Sequence, residues 1–589
     1  MPLRDCNVLI RTLARRGSFS RVMAVYYDLR ARGLAADSYT YPFVLMAIST
    51  MKLSVEGRKV HAAAVKTGFR WDAYTTCSLM EMYTMLGRRV FDKMPQRFLV
   101  LWNMMMSYKE KRSCQHNDDS KGEQEKPFLS EGVWSHIHSF MHIRDAGRAA
   151  CLSRSFLQSW RCHPYLIFTD ETLGCKKNTS QENEIASNFY SRVDNILNNH
   201  SGIGMKALKI HVPIGYTAKD SRYLNRWLQI AITHGIEELE LIFPFMAKYK
   251  FPYSLLPMSG DSIKCLELSC CSFCPTSKFG WLKNLTKLCL DGVFIEGDEL
   301  ERLVFSALAL ERLEIRYCDR IVCLKVPSML QRLTYLEVYD CDKLRVLDID
   351  APNITCFNFG RHHTKTKLSI GGGVSKIKEL SACFDDAVYY VRVELPSMMA
   401  NLETLTINSM VEMNIPMLPS KYLHLKYLKI SLAAYTFPST FDYFSLASFF
   451  DACPSLEAFF LDAYQRKMKH VSIITNPLVL RGTPEQRHHK LKTVEMNGFT
   501  SAKSLVELAC HIAQCATSLQ SLKLEVHQSD FKCYIPANKH NKCSPLPVEV
   551  LMESRRAHLA IMTYIEPIIP STVKLQVVGP CSRCHALEQ

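Results

Sequence analysis

Hydrophobic and polar positions alternate with three different rhythms along the chain. In the first hundred residues apolar side chains recur every three or four positions, as in "SRVMAVYYDLRARGL" (residues 20–34) and "VEGRKVHAAAVKTGF" (residues 55–69), which predicts pairs of amphipathic helices. "DSYTYPFVLMA" from Asp37 and "DAYTTCSLMEMY" from Asp72 lie 35 residues apart, so the pairs repeat. A second helical rhythm runs through "RDAGRAACLSRSFLQSWR" (residues 144–161), where one helix would line Ala149, Leu152, Phe156 and Trp160 on a single face among small residues.

Past residue 200 the period falls to two. Segments of the form LxxLxL begin at Leu285, Leu310, Leu333, Leu402, Leu425 and Leu519, with weaker copies in "MKALKI", "IEELEL", "IKCLEL", "LEAFFL" and "LKTVEM". Leu285 and Leu310 are 25 residues apart, Leu310 and Leu333 23. Such alternation predicts short strands with apolar residues inward, stacked in parallel as coils of a solenoid. Between Leu333 and Ile354 the segments come every 10 or 11 residues ("LTYLEV", "LRVLDI", "ITCFNF"), too close for an intervening helix, so those coils are expected to be strand and turn only. Polar stretches at 109–127 and 169–200 read as linkers, and 531–589, with its prolines and cysteines, as a half-ordered tail.

The helical units, followed by "RRVFDKMPQRFLVLWNMM", resemble plant pentatricopeptide repeats over residues 1–108. "MYTMLG" meets "RRVFDKMP" almost at once, so the third unit's second helix is expected to be short. The resemblance implies reading of single-stranded RNA, one base per repeat, through a polar side chain near the start of each first helix, here Asn7, Pro42 and Cys77. Only Asn7 can hydrogen-bond a base edge well, so a surviving structural segment is expected rather than an RNA partner.

Residues 128–168 resemble the F-box of plant proteins through "RDAGRAACLSRSFLQSWR" and the ending Ser159–Leu166, "SWRCHPYL". The resemblance implies a three-helix module too small to bury its own apolar faces, which docks on the small adaptor of a cullin-based ubiquitin ligase. At the matching positions stand Leu129, Ile137, Ile143, Leu152, Phe156 and Trp160. Ser130 and His142 replace prolines of the pattern, and Gly132 interrupts its acidic pair.

The strand segments from 201 to 530 resemble the leucine-rich repeats that follow F-boxes in plants, and "KTVEMNGFTSAKSLVELACHIAQCATSLQSLKLEV" is similar to that family's last strand, helix and strand. The implied fold is an α/β leucine-rich-repeat solenoid with an α-helical F-box and an N-terminal all-α pentatricopeptide-like helical-hairpin segment. The implied role is non-catalytic: a substrate-recognition subunit that binds the adaptor, through it a cullin, and a target protein whose identity the sequence leaves open. Target contacts are expected at outward strand positions, namely Arg312, Glu314, Tyr335, Glu337, Tyr427 and Lys429, with Lys287, Cys289 and Thr404 beside them.

Composition adjusts this picture in a few places. A chain of 589 residues exceeds what one core usually supports, and 47% hydrophobic with 22% charged residues is the balance of a folded protein. No apolar run reaches the ~18 residues of a membrane helix, and "MPLRDCNVLIRTLARRG" has no apolar signal-peptide core. No membrane is therefore expected as a partner, and the location expected is cytoplasmic and/or nuclear, or an organelle if the N-terminal repeats dominate. The 23 cysteines sit mostly within apolar runs and are expected to be reduced. Net charge is +15, and residues 1–110 hold 17 Lys/Arg against 8 Asp/Glu, a basic face that suits either nucleic acid or solvent.

"CSRCH" (Cys581–His585) and "CSFC" (Cys271–Cys274) have metal- or haem-like spacing but no supporting context, so no metal or cofactor is expected. The pairs His362/His363 and His488/His489 read as solvated loop residues, and Gly371–Gly373 as a turn. No nucleophile–base–acid set stands out. Two rival readings are an organellar RNA-binding protein and a gene model joining two coding units, residues 1–110 and 128–589, without ligase activity.

Overall fold

The computed structural model describes residues 3–51, 53–67, 75, 78–79 and 141–580, apart from 142, 151–153, 175–181, 234, 246, 260–261, 276–281, 361–365, 372–375, 413–420, 435–440, 466–469, 476–479, 482–486 and 527–546. The chain divides into two compact units, Met1–Ser130 and Glu131–Gln589.

In the first unit, helices α1 (Leu3–Arg15), α2 (Phe19–Ala31), α3 (Tyr41–Thr50) and α4 (Ser54–Lys66) form two successive pairs. Their apolar stripes meet in one cluster in which Ile10, Val22, Leu29, Val44, Leu45 and Ile48 are wholly buried. The expected amphipathic pairs are therefore present. Gly17 and Gly33 end the first two helices with φ of 69° and 73°, the left-handed turn that lets each chain reverse.

The second unit opens with α5 (Ile143–Ala150) and α6 (Arg154–Arg161). A Cβ on Gly147 would lie 3.3 Å from Trp160 Nε1. In one continuous helix these residues would be about 20 Å apart along the axis. The expected single helix through Ala149 and Trp160 is thus corrected to two packed helices, and small residues such as Gly147 make room for the indole of the second.

Strand β1 (Tyr165–Phe168) follows at once and pairs with β2 (Ala207–His211), through α7 (Asp170–Leu173) and α8 (Glu182–Asn199). Residues 169–200 are accordingly not a linker. Phe189, Tyr190, Val193 and Leu197 on α8 enter the same core as the strands, so this stretch is the return of the first coil.

The sheet continues through α9 (Ser221–Thr233), β3 (Glu238–Ile242), β4 (Cys265–Ser269), β5 (Lys287–Asp291), α10 (Gly297–Ser306) and β6 (Arg312–Arg316). Here the architecture changes. β7 (Cys323–Val326), β9 (Val346–Ile349) and β11 (Lys367–Ile370) form a separate three-stranded sheet, while β8 (Tyr335–Tyr339), β10 (Cys356–Gly360) and β12 (Glu379–Cys383) extend the main one. The tightly spaced segments are strand and turn as expected, but they alternate between two sheets: "LTYLEV" and "ITCFNF" belong to the large one, "LRVLDI" to the small one.

Helical returns then resume: α11 (Ala387–Val393), β13 (Thr404–Ser409), β14 (Tyr427–Ala434), α12 (Ser448–Ala452), β15 (Ala458–Gln465), β16 (Thr493–Asn497), α13 (Lys503–Cys515), β17 (Ser521–Glu525), α14 (Val548–Ala560) and β18 (Lys574–Val578). β18 pairs in parallel with β17, so the repeats do not end at 530 but run on into the expected tail. The fifteen strands of the main sheet are parallel throughout and in register.

The LxxLxL motif is a packing motif. Leu285, Leu288 and Leu290 are wholly buried, as are Leu310, Leu313 and Ile315 one coil later. At about 25 cal/mol per Å² of apolar surface, such stacked triplets supply most of the stabilisation of each coil. Strand ends are fixed by left-handed turns at Cys270, Gly292, Tyr317 and Asp340, with φ between 50° and 62°. Each turn amide donates to a carbonyl at the end of the next strand, at 2.8–2.9 Å, which holds three non-glycine residues in a costly conformation.

Candidate interaction surfaces

Main-sheet side chains alternate between the core and an open face. On that face the middle column of successive strands reads Glu240, Glu267, Cys289, Glu314, Glu337 and Asn358. Glu314 and Glu337 stand directly opposite each other, an arrangement that repels unless a cation intervenes. Arg316 supplies it, reaching Glu314 at 2.6 Å and Glu337 at 2.5 Å. Arg312 also pairs with Glu314, and its guanidinium lies 3.5 Å from the centre of the Tyr335 ring. Asn358 donates to the Tyr335 hydroxyl at 2.7 Å and to Glu337 at 3.2 Å.

The result is one lattice of four expected target-contact residues, Arg312, Glu314, Tyr335 and Glu337. Two of these are not exposed as expected: Glu314 is only 4% exposed and Glu337 9%. Long side chains fold over them: Arg312 and Arg316 flank Glu314 on its own strand, and Tyr335 of the same strand with Arg316 and Asn358 of the adjacent strands surrounds Glu337. Burial pulls the Glu337 carboxyl upward in pKa, but hydrogen bonds from Arg316, Tyr335 and Asn358 outweigh it and hold the group below its ordinary value. In Tyr335 burial and the Glu337 carboxylate both push the phenol upward.

Tyr427 and Lys429, the other two expected contacts, lie on β14 in a second cluster. Tyr427 stacks on Phe460 at 4.9 Å, and Lys429 pairs at 3.1 Å with the buried Asp462, which also accepts from Ser431 and Asn497. Arg316, Asn358, Phe460 and Asp462 were not singled out from sequence. Writing the repeats in register places Asn358 and Phe460 in the column of Glu314, Glu337 and Lys429, whereas Arg316 and Asp462 fall in a third column two residues further on, from which no residue was named.

Of the expected adaptor-contact residues, Ile143 is 4% exposed and belongs to the repeat core. Trp160 is half-buried against that core, with no hydrogen-bond partner for its Nε1 among the described residues. Phe156 lies on α6, its side chain outside the described residues, and Leu129, Ile137 and Leu152 lie outside them altogether. His163 anchors the stretch that follows: its Nδ1 accepts from Tyr165 N at 3.2 Å, so Nε2 is the donor to Met141 O at 3.1 Å.

In the first unit Asn7 is engaged at both ends of its amide. Nδ2 donates to the Asp37 carboxylate at 3.0 Å, and Oδ1 accepts from Thr40 at 2.6 Å. A base edge would have to displace these bonds. Cys77 lies outside the described residues.

Other candidate chemistry finds a structural place. His488 is not solvated but 5% exposed, its Nδ1 accepting from Leu491 N at 3.1 Å and its Nε2 donating to Cys453 O at 2.9 Å. His362, His363 and Cys581–His585 lie outside the described residues. The described cysteines are free thiols, with only Cys274 exposed, and burial pushes Cys289 and Cys453 up to about 12. Among the described residues no group of three or more His, Cys, Asp or Glu is placed to hold a metal ion. No described helix is long and apolar enough to cross a membrane. Ser501 and His470 both bond Glu553 Oε1, at 2.7 and 3.0 Å, a knot that ties α14 to the preceding coil.

A sequence model described as "At1g61320/AtMIF1, LRR domain" matches residues 196–582. The chain belongs to this leucine-rich-repeat family. The family's domain starts in the last turn of the helix before β2 and runs beyond β18, in agreement with a solenoid longer than 201–530. Curated relatives are of another kind. The chain is 36% identical over 104 residues to the pentatricopeptide repeat-containing protein At4g14850 of Arabidopsis thaliana, covering 17% of this chain and 15% of that protein. It is 36% identical over 101 residues to At4g35130, chloroplastic, and 35% over 107 residues to At4g21065, both pentatricopeptide repeat-containing proteins of the same plant. The chain thus spans less than a fifth of the length of these relatives.

Proposed function

We propose that the chain is the substrate-recognition subunit of a cullin-type ubiquitin ligase, with α5 and α6 as part of an F-box that docks on the adaptor and the open face of the repeats holding a target protein. The observation that carries this reading is the α5–α6 pair itself. It has the "RDAGRAACLSRSFLQSWR" sequence, it is rooted in the repeat core through Ile143, and it leads directly into the first strand, so anything bound to it is held rigidly relative to the repeats. Catalysis by such a subunit is positioning: a target fixed near a ubiquitin-carrying enzyme reacts because its encounter entropy has been spent in binding. The repeat family itself supports a protein-interaction role.

The test is calorimetric titration of the purified full chain with purified adaptor, comparing wild type, Trp160→Ala and Phe156→Ala. A buried aromatic anchor is worth ~2 kcal/mol or more at an interface, so at least one variant is expected to weaken binding about thirtyfold with its circular dichroism unchanged. Undetectable adaptor binding by a folded wild type overturns the ligase reading.

A second reading, two coding units joined, is favoured by the division into compact units at Ser130 and by homologies of two unrelated kinds. A transcript read across the codons for residues 100–135 decides it.

A further inference from the structure

Just before each strand the chain passes through a residue whose carbonyl accepts from the next coil, and these residues form a column along the leading edge of the sheet. From β12 to β16 the column reads Lys378, Glu403, Lys426, Glu457 and Lys492. Glu403 is held by Lys378 and Lys426, each at 2.8 Å, and Glu457 by Lys492 at 2.7 Å. The Glu403 carboxyl is lowered to about 2 by the hydrogen bonds from those two ammonium groups.

Two residues earlier in each coil runs a second column, from Lys376 through Asn401, His424 and Ser455 to Lys490. The two columns, apart from Lys492, line an open cavity of about 600 Å³. The two end lysines bond neutral acceptors, Lys376 to Asn353 Oδ1 at 2.6 Å and Lys490 to Ser455 Oγ at 3.3 Å. Four lysines against two glutamates therefore face the cavity, and those two glutamates are already paired.

We propose that this leading-edge groove binds an extended acidic peptide segment of a partner protein. The proposal deepens the reading of the repeats as the target-holding part and is independent of adaptor docking. Lys376 and Lys490 belong to coils four strand spacings apart, about 19 Å, the span of roughly six residues of extended chain. Sign alternates along the groove, with Glu403 and Glu457 set between the lysines. A continuous phosphate backbone would meet both carboxylates, whereas a peptide places its charges apart with neutral amides between them. Asn401, His424 and Ser455, at intermediate positions, present polar atoms of the kind that bond peptide groups.

The experiment is fluorescence anisotropy of a labelled peptide with glutamate at alternate positions, titrated with the full chain at low salt. The Lys376→Glu/Lys490→Glu double variant reverses two exposed charges outside the sheet ladder. Lys206→Glu makes the same change on the same edge, seven strands before Lys376, and is the control. Binding that drops about tenfold or more in the double variant, stays unchanged in the control, is lost for the glutamine version of the peptide and weakens with salt is the expected result. Equal affinity in wild type and double variant overturns the proposal, as does no binding at all, or tighter binding of tripolyphosphate or single-stranded RNA than of the peptide. Adaptor titration of the same preparations separates the two readings. Lost peptide binding with adaptor binding intact removes the groove alone, and the converse removes the ligase assignment alone.

Discussion

Glu412 is a buried carboxyl whose ionisation bears directly on the fold. It is 3% exposed and accepts from the amide of Val388 at 2.5 Å, at the start of α11. Burial pushes its carboxyl up to about 7, against the opposing pull of the Val388 amide, the Ser409 hydroxyl and the Tyr389 amide. Between the ordinary carboxylate range and pH 7 the folded state therefore binds more protons than the unfolded state, so stability falls as pH rises through that window. Glu412→Gln keeps an acceptor for the amides and removes the buried charge. It is expected to raise stability at pH 8 by about 1–3 kcal/mol while leaving stability at pH 4 nearly unchanged, as measured by urea denaturation at the two pH values. An equal effect at both would mean that packing and not ionisation is responsible. Nothing in "SMVEMN" marks this glutamate from sequence, because its burial is made by a helix start 24 residues earlier. The same holds for Glu314. Its outward direction was legible from the alternation of "LERLEI", but the period does not tell that Arg312 and Arg316, two residues to either side, fold over it.

Strands were the most legible elements, because alternation with period two admits few other structures, and every such segment named from sequence became a strand of one of the two parallel sheets. Which of two sheets a strand joins is not carried by its period, and so the role of β9 emerged only in three dimensions. Helix α8 was hidden for the opposite reason: its buried Phe189, Val193 and Leu197 are spaced correctly, but the polar residues between them gave the stretch the composition of a linker. The last helix and strand, α14 and β18, were missed in the same way, and their contribution is measurable. A chain ending at Val526 loses the bonds of Glu553 to Ser501 and His470 and leaves β17 as a bare edge. It is expected to be several kcal/mol less stable than one ending at Pro580 and to scatter light on warming, with Glu553→Ala accounting for ~1–3 kcal/mol of the loss. Equal melting temperatures for the two truncations would show that the solenoid closes at β17.

For the molecule as a whole, two compact units with separate apolar clusters imply two separable melting events. Leu313→Asp places an unpaired charge in the repeat core and is expected to lower only the transition of the larger unit, by several kcal/mol, in scanning calorimetry. A shift of both transitions would show that the units unfold as one. Within the larger unit each coil is stabilised by its neighbours, so the damage should spread along the sheet from β6 in hydrogen exchange rather than remain local. The alternating column on the leading edge adds a rule about how such an array can change length. Removing the single coil that contains Glu403 would bring Lys378 beside Lys426, and removing instead the coil that contains Lys426 would bring Glu403 beside Glu457. Removing two adjacent coils restores the alternation of sign. Between β12 and β16 the charge pairing of this solenoid therefore survives a gain or loss of turns only in even numbers, a parity set by side-chain charge.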